Sequence, residues 1–286
     1  MADLKKIDVL FLIYLAISTL TLAFAWDSSI HSPAFIWIRC IMVASILALI
    51  YADKKSTHAL VKLLRLSYPI LLSGYFYSET VFYNKIFFND LDPLLIDIET
   101  ALFNMQPSLE FAAYFSNKLV SELMYFGYFS FYLLILGFTL YVFIKKRVFF
   151  KQVTFLLSAS LYLFYLTFCF FPSAGPQFYF SPPESVLPEA YFFSHVMHFI
   201  QHVGEQPTGA FPSSHVGISV IILMLSKKYA PPFFKFAWPL VIILIISTVY
   251  IKAHYAIDSI AGLMVAPFIL YLSGFLYHLP RWKNQK

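Results

Sequence analysis

Two short motifs in the C-terminal half of the chain carry side chains suited to nucleophilic or acid–base chemistry. The first is PSSH at residues 212–215, at the predicted start of an apolar helix. The first N–H groups of a helix have no partner within it, and with the positive end of the helix dipole they favour an anion such as phosphate. His215 beside that anion could give or take a proton near neutral pH. The same residues also form an ordinary helix start, so the motif alone leaves both interpretations open.

The second motif is HYAID, in which His254 and Asp258 stand four residues apart at the start of the last apolar run. On a helix this spacing places both side chains on one face. A carboxylate that accepts from one imidazole nitrogen leaves the lone pair of the other nitrogen exposed, which suits a nucleophile or a base. The simpler alternative is that Asp258 is a carboxylate favoured by the helix dipole.

The composition requires lipid around the elements that position these motifs. Of the 286 residues, 60% are hydrophobic and 12% are charged, and the mean hydropathy is +0.73. Soluble domains carry about a quarter charged residues, so a soluble enzyme is excluded. Cys40 and Cys169 both lie in apolar runs and predict no disulfide framework. The net charge of +5 arises from dispersed clusters, which argues against a nucleic-acid partner.

The predicted fold class is all-α, a polytopic integral membrane bundle of about eight transmembrane helices, because about 20 apolar residues cross a bilayer. The first apolar run is too long for a signal peptide and lacks a convincing cleavage site, so we expect it in the mature protein. The predicted spans are residues 7–26, 33–51, 66–82, 120–144, 148–171, 212–225, 236–250 and 255–277.

The Lys and Arg residues predict the orientation in the membrane. With a cytoplasmic N-terminus, the outer side holds Arg39, Lys85, Lys118 and Lys252, and the other 16 of the 20 cations face the cytoplasm. Both termini are then cytoplasmic, and both motifs lie at the outer face, where His215 and His254 could approach one phosphate from opposite sides. The cytoplasmic set is Lys5, Lys6, Lys54, Lys55, Lys62, Arg65, Lys145, Lys146, Arg147, Lys151, Lys227, Lys228, Lys235, Arg281, Lys283 and Lys286.

An acidic outer segment, residues 89–116, is too polar to span the membrane. Its apolar residues recur at helical spacing, which predicts one or two amphipathic helices at the outer interface. A calcium or magnesium site is the alternative, although the pattern of an EF-hand loop is missing. The acids are Asp90, Asp92, Asp97, Glu99 and Glu110.

PSSH followed by HxxxD resembles the second and third motifs of the type 2 phosphatidic acid phosphatase (PAP2) superfamily. The resemblance covers residues 165–262 closely and the six C-terminal helices in outline, so residues 1–60 would be two added helices and residues 61–286 the catalytic domain. It implies that His254 attacks phosphorus and forms a phosphohistidine, that Asp258 orients it, and that His215 protonates the leaving alcohol. It implies no metal and no cofactor.

Several positions depart from the usual family pattern. The first motif, KxxxxxxRP, is absent, and Thr248 stands where the third motif usually has arginine. The sequence GPQ at residues 175–177 and Lys252 shortly before HY resemble instead the branch that includes inositol phosphorylceramide synthase, although Gln177 replaces the arginine of that branch. The predicted phosphate-binding residues are Lys252, Ser213, Ser214, Gln177 and Gly175. Lys252 could alternatively extend to the membrane interface.

A third group, His195, His198 and His202, follows helical spacing with Glu205 after it. Zinc could bind such a face, but the HExxH pattern is missing, and a lid or substrate-entry helix is the favoured interpretation.

These features together predict an enzyme that hydrolyses a phosphomonoester or diphosphate lipid at the outer face of a bacterial inner membrane, with membrane lipids around it. Transfer of the phosphoryl headgroup to an acceptor alcohol is the alternative reaction. A transporter is the alternative from another class, but the polar residues gather at one interface rather than at the midplane. The lipid and the oligomeric state are not readable from the sequence.

Overall fold

The chain folds into a helical bundle, and its described residues contain no β-strand. The computed structural model describes residues 4–25, 34–182 and 186–279. Short 3-10 turns cover Thr80–Phe82 and Arg147–Phe149. The α-helices are α1 (Lys6–Phe24), α2 (Ala34–Lys55), α3 (Ala59–Leu71), α4 (Ser73–Glu79), α5 (Asp92–Phe103), α6 (Pro107–Tyr114), α7 (Lys118–Lys145), α8 (Phe150–Thr167), α9 (Pro176–Tyr179), α10 (Phe192–Gly204), α11 (Ser214–Tyr229), α12 (Pro231–Tyr250) and α13 (Ala256–His278).

Six of the predicted eight spans are helices long and apolar enough to cross a membrane, which makes the chain an integral multi-pass membrane protein. They are α1, α2, α7, α8 with its preceding 3-10 turn, α12 and α13. The other two predicted spans are shorter. The third is divided at Leu72 into α3 and α4, three residues after Pro69, which cannot donate a helical hydrogen bond. The sixth, α11, has 16 residues.

Parts of the sequence-based prediction fall on residues that the structure does not describe. These are the ends of the first and second predicted spans at Trp26 and Pro33, and the cations Arg281, Lys283 and Lys286.

The core places α8 among the other long helices. α8 packs against α1, α3, α11 and α13, and α11 also packs against α12 and α13. Gly262 permits a close approach of the two backbones, because a Cβ there would lie 2.5 Å from the carbonyl oxygen of Ser213. The absence of that side chain brings the first turns of α11 and α13 together, and these turns carry both motifs.

A cluster of ion pairs, which we call the clasp, joins α1, α2 and α3. Arg65 is fully buried and forms a bidentate pair with the buried carboxylate of Asp8. Asp53 accepts from Lys5 Nζ at 2.6 Å and from Lys62 Nζ at 2.5 Å. The clasp ties the two N-terminal helices to α3.

Candidate active site

The two predicted histidines lie side by side in the interior. His254 Nε2 is 3.2 Å from His215 Nδ1, and both side chains are buried. His254 Nδ1 is 2.9 Å from the carbonyl oxygen of Ala210, which can only accept, so this nitrogen carries the hydrogen. In neutral His254 the lone pair is therefore on Nε2, and it points toward His215.

Backbone hydrogen bonds hold the two helix starts in this arrangement. The N–H of Ser213 donates to the Asp258 carbonyl at 3.0 Å, and the N–H of His254 donates to the Thr248 carbonyl at 3.1 Å. The Thr248 hydroxyl lies 2.9 Å from that of Ser259 in the buried interior. Thr248 of α12 thus packs against α13, and it stands at the position where the family pattern has arginine.

Asp258 lies close to His254, but its main contact differs from the sequence prediction. Its Oδ2 accepts from the N–H of Tyr255 at 2.8 Å, which caps α13, and lies 3.6 Å from His254 Nδ1. The distance is too long for a good hydrogen bond, and His254 Nδ1 donates to the Ala210 carbonyl and not to the predicted acceptor, Asp258. The alternative of a carboxylate at a helix start describes most of what Asp258 does, because the capping oxygen lies at the N-terminus of α13.

Burial determines the protonation state of His254. It lowers the pKa of His254 to about 4, against smaller upward effects of the Ala210 carbonyl and of Glu205. The imidazole is therefore neutral at physiological pH, as a nucleophile requires.

A further row of polar groups leads away from His215. The hydroxyl of Tyr128 lies 3.2 Å from His215 Nε2 and 2.9 Å from Glu205 Oε1. The Gln177 amide donates to Glu205 Oε2, and the Gln201 amide donates to Gln177 Oε1 at 3.0 Å. Burial raises the pKa of Glu205, which is 7% exposed. No sequence pattern distinguishes Tyr128, which is one of 20 tyrosines in the chain.

The acidic outer segment forms two helices, α5 and α6, as predicted, but two of its acids are buried against the site. Asp92 accepts from the N–H groups of Ala174 at 2.8 Å and Gly175 at 2.9 Å, and from the Tyr255 hydroxyl at 3.0 Å. Glu99 Oε1 accepts from the N–H of Ile257 at 3.1 Å. The seven-residue spacing of Asp92 and Glu99 places them on one helix face, a signal that was available in the sequence.

The residues predicted to bind phosphate have varied surroundings. The Ser213 hydroxyl caps α11 by accepting from Val216 N–H at 3.3 Å, and Ser214 lines a cavity. Gly175 has a φ of 86°, which favours glycine. Gln177 bonds to Glu205, and Lys252 Nζ donates to the Val186 carbonyl at 2.8 Å. Gln177 N–H also donates to the Lys252 carbonyl at 3.0 Å, so these two residues share one corner beside His254.

A cavity of about 750 Å³ ends at His215, Ser214 and Glu205. Its volume lies in the range of small-molecule sites. Its walls come from α3, α4, α7, α8 and α10, and they are mostly apolar. The apolar lining includes Leu63, Leu64, Ile70, Leu71, Phe131, Ile135, Leu136, Leu140, Leu161 and Ile200.

The three histidines of α10 are exposed and point away from the site. His195, His198 and His202 share the outer surface of α10, and His198 Nε2 lies 3.2 Å from the Tyr125 hydroxyl. Among residues 4–25, 34–182 and 186–279, no group of three or more His, Cys, Asp or Glu side chains is arranged to hold a metal ion.

Comparison with known proteins identifies one family. The model of the PAP2 superfamily matches residues 94–272, more than half of the chain, and this range includes both histidines. A PA-phosphatase related-family protein of Dictyostelium discoideum is 29% identical over 109 residues, which are 37% of this chain and 20% of that protein. The match therefore spans about a fifth of the relative's length. No solved structure matches the chain significantly.

Proposed function

The chain belongs to the PAP2 superfamily, and on that premise we propose that it is a lipid-phosphate phosphatase that works through a phosphohistidine on His254. One observation carries the proposal: the Nε2 of His254 faces His215 Nδ1 at 3.2 Å, and His215 lines the end of an apolar cavity. A lipid phosphate could place its tail in the cavity and its phosphate group beside the two rings, which must move apart for phosphorus to enter between them.

The roles follow from the positions of the nitrogen atoms. The Ala210 carbonyl fixes the tautomer in which His254 Nε2 attacks phosphorus, and the neighbouring carboxylate of Asp258 stabilises the positive ring that forms. His215 protonates the leaving alcohol, and then activates the water that cleaves the P–N bond. Ser214, Gly175, Gln177 and Lys252 surround the reacting phosphate in this proposal, and Ser213 acts by capping α11.

The position of the site supports an enzyme rather than a transporter. The reacting groups gather at the starts of α11 and α13, at one end of the bundle, whereas a transporter binds near the midplane. We place this end at the outer face of the membrane, because the cations of the predicted cytoplasmic loops lie at the other end. A lipid phosphate in the outer leaflet of sealed right-side-out vesicles is then hydrolysed without detergent.

The test is a panel of lipid phosphates with the purified protein, measured as inorganic phosphate with and without EDTA. Wild type releases phosphate and the His254→Ala variant does not. Transfer of the kind catalysed by inositol phosphorylceramide synthase would appear as a labelled lipid that grows with added acceptor alcohol at the expense of free phosphate. Failure to process any lipid phosphate would refute both reactions.

A further inference from the structure

Four hydrogen bonds run in a row through the site, and they need one more proton than the proposed mechanism uses. They join the Ala210 carbonyl to His254, His254 to His215, His215 to Tyr128, and Tyr128 to Glu205, at 2.9, 3.2, 3.2 and 2.9 Å. Each bond needs one hydrogen. Two neutral imidazoles and one phenol supply three hydrogens, and an ionised carboxylate supplies none. All four bonds form together only when the row holds one more proton than these forms provide.

Burial decides where the additional proton resides. It raises the pKa of Glu205 and lowers that of His254 to about 4, so the proton is held more readily by the carboxyl group than by the imidazole. The titratable groups that face Glu205 are Tyr77 of α4, Tyr128 and Tyr132 of α7, and His254 of the loop before α13. His215 is reached through Tyr128. The amide of Gln177 donates to the other carboxyl oxygen.

We propose that Glu205, acting through Tyr128, is the proton store of the site: it replaces the proton that His215 gives to the leaving alcohol and takes it back in the second step. The proposal rests on the proposed phosphatase function. Glu205 and Tyr128 are positioning residues in it, because they act on the reacting atoms only through His215.

The first step transfers phosphorus from the lipid oxygen to His254. The lone pair of His254 Nε2 forms the P–N bond, the P–O bond to the lipid breaks, and the departing oxygen takes the Nδ1 proton of His215. Nε2 of His215 takes the hydroxyl proton of Tyr128, and the Tyr128 oxygen takes the carboxyl proton of Glu205. His215 stays neutral in its other tautomer, and Glu205 becomes a carboxylate near the positive phosphohistidine.

The second step reverses the movement of protons. Water attacks phosphorus, the P–N bond breaks, and the electron pair returns to His254 Nε2. His215 Nδ1 takes a proton from the water, while its Nε2 proton returns through Tyr128 to Glu205. Phosphate leaves and the site regains its starting state.

The test compares two leaving groups in the Glu205→Gln variant. An alkyl alcohol needs a proton to depart, whereas an aryl alcohol departs readily as its anion. We expect the variant to lose about 30-fold or more in kcat on a long-chain alkyl phosphate and less than about threefold on an aryl phosphate, since general acid catalysis contributes about 10²–10⁴-fold. Tyr128→Phe should show the same selectivity. Equal losses on both substrates would indicate a merely structural role and overturn the proposal.

The pH profile gives a second readout. Wild-type kcat on the alkyl phosphate should fall as pH rises and Glu205 ionises. This descending limb of the pH profile should be absent in Glu205→Gln. The matched control is Glu189→Gln, which removes an exposed acid before α10 and should keep wild-type rates and the limb. A limb that persists in Glu205→Gln would overturn the proposal. Size-exclusion chromatography establishes that each variant is folded.

Infrared spectroscopy separates this proposal from the proposed function. At neutral pH the wild type should show the C=O band of a protonated, buried carboxyl group that Glu205→Gln lacks and Glu189→Gln retains. If the wild type hydrolyses neither substrate, the phosphatase proposal fails, yet the band still shows whether Glu205 holds the proton. Absence of a Glu205-dependent band would overturn the proton store whatever the activity.

Discussion

The clasp and the histidine site are two buried polar networks that differ in the partners of their acidic side chains. In the clasp, Asp8 is paired with Arg65 and Asp53 with two lysines. At the site, Glu205 is hydrogen-bonded to the phenol of Tyr128 and the amide of Gln177. The ion pairs of the clasp hold their charges in place, whereas a row of hydrogen-bonded neutral groups allows a proton to pass from one group to the next.

The two networks lie at opposite ends of the bundle. The Lys6 ammonium, next to the clasp, donates to the Tyr277 carbonyl at the C-terminal end of α13, and the site lies at the N-terminal end of the same helix. A helix of 23 residues is about 34 Å long. A substitution at one end should therefore leave the structure of the other end largely unchanged. The predictions below test that separation.

The largest effect is expected from removal of either histidine. His254→Ala and His215→Ala should each lower kcat by about 10³-fold or more, because they remove the proposed nucleophile and the proposed general acid. Phosphate release by the purified variants measures this. The matched control is His195→Ala on the exposed surface of α10, which should keep wild-type activity. Loss of activity in that control, with recovery on adding zinc, would favour the metal hypothesis for α10.

Removal of Arg65, the central cation of the clasp, should have the opposite effect: stability should fall while activity is nearly unchanged. Arg65→Met leaves Asp8 buried without its bidentate partner, and breaking a buried pair costs about 3–5 kcal/mol. Thermal unfolding in detergent should show a clear loss of stability, while the variant that remains folded keeps kcat within about threefold.

The exposed ion pair of Lys85 and Asp90, 2.6 Å apart, provides the control for this prediction. Lys85→Met should change stability by less than about 1 kcal/mol. If Arg65→Met lowered kcat as strongly as a histidine variant, the two ends would not be separate.

A smaller effect is expected at Asp258. Asp258→Asn should lower kcat by about tenfold, less than loss of either histidine, because the Ala210 carbonyl still fixes the His254 tautomer and an amide oxygen can still cap α13. Steady-state kinetics compares the variants directly. A loss as large as that of His254→Ala would indicate that Asp258, and not the Ala210 carbonyl, controls the nucleophile.

The sequence predicts the pairing of the two histidines because that pairing depends on local rules. PSSH and HYAID each mark a helix start, and the distribution of cations places both starts at one end of the bundle. Contacts that arise from tertiary packing were harder to predict. Tyr128 lies in an apolar helix without a distinguishing pattern, and the acceptor of His254 is a backbone carbonyl, for which any residue type would serve.

The fold likewise has features that follow from each segment's own sequence and features that depend on tertiary packing. Long apolar runs predict α1, α2, α7, α8, α12 and α13, because length and composition are properties of each segment. The division at Leu72 and the inward orientation of Asp92 and Glu99 depend on neighbouring helices. The predicted helices α5 and α6 are therefore present, whereas the burial of two of their acids was not predicted.

The smallest effect concerns Glu99, an acid buried against the N-terminus of α13. Burial raises its pKa to about 7, with a further upward effect from Asp258, while backbone N–H groups oppose the shift. A pKa raised on folding means that the contribution to stability is complete below the unfolded value near 4.5 and is lost as pH rises through about 7. Wild type should therefore unfold more easily at pH 8 than at pH 5. Glu99→Gln keeps an oxygen for the N–H of Ile257 but cannot ionise, so it should melt roughly 2–4 °C above wild type at pH 8 and close to wild type at pH 5. Glu110→Gln, in the neighbouring helix α6, is the matched control and should follow the wild-type curve. A constant difference between Glu99→Gln and wild type at both pH values would show that Glu99 does not titrate between them.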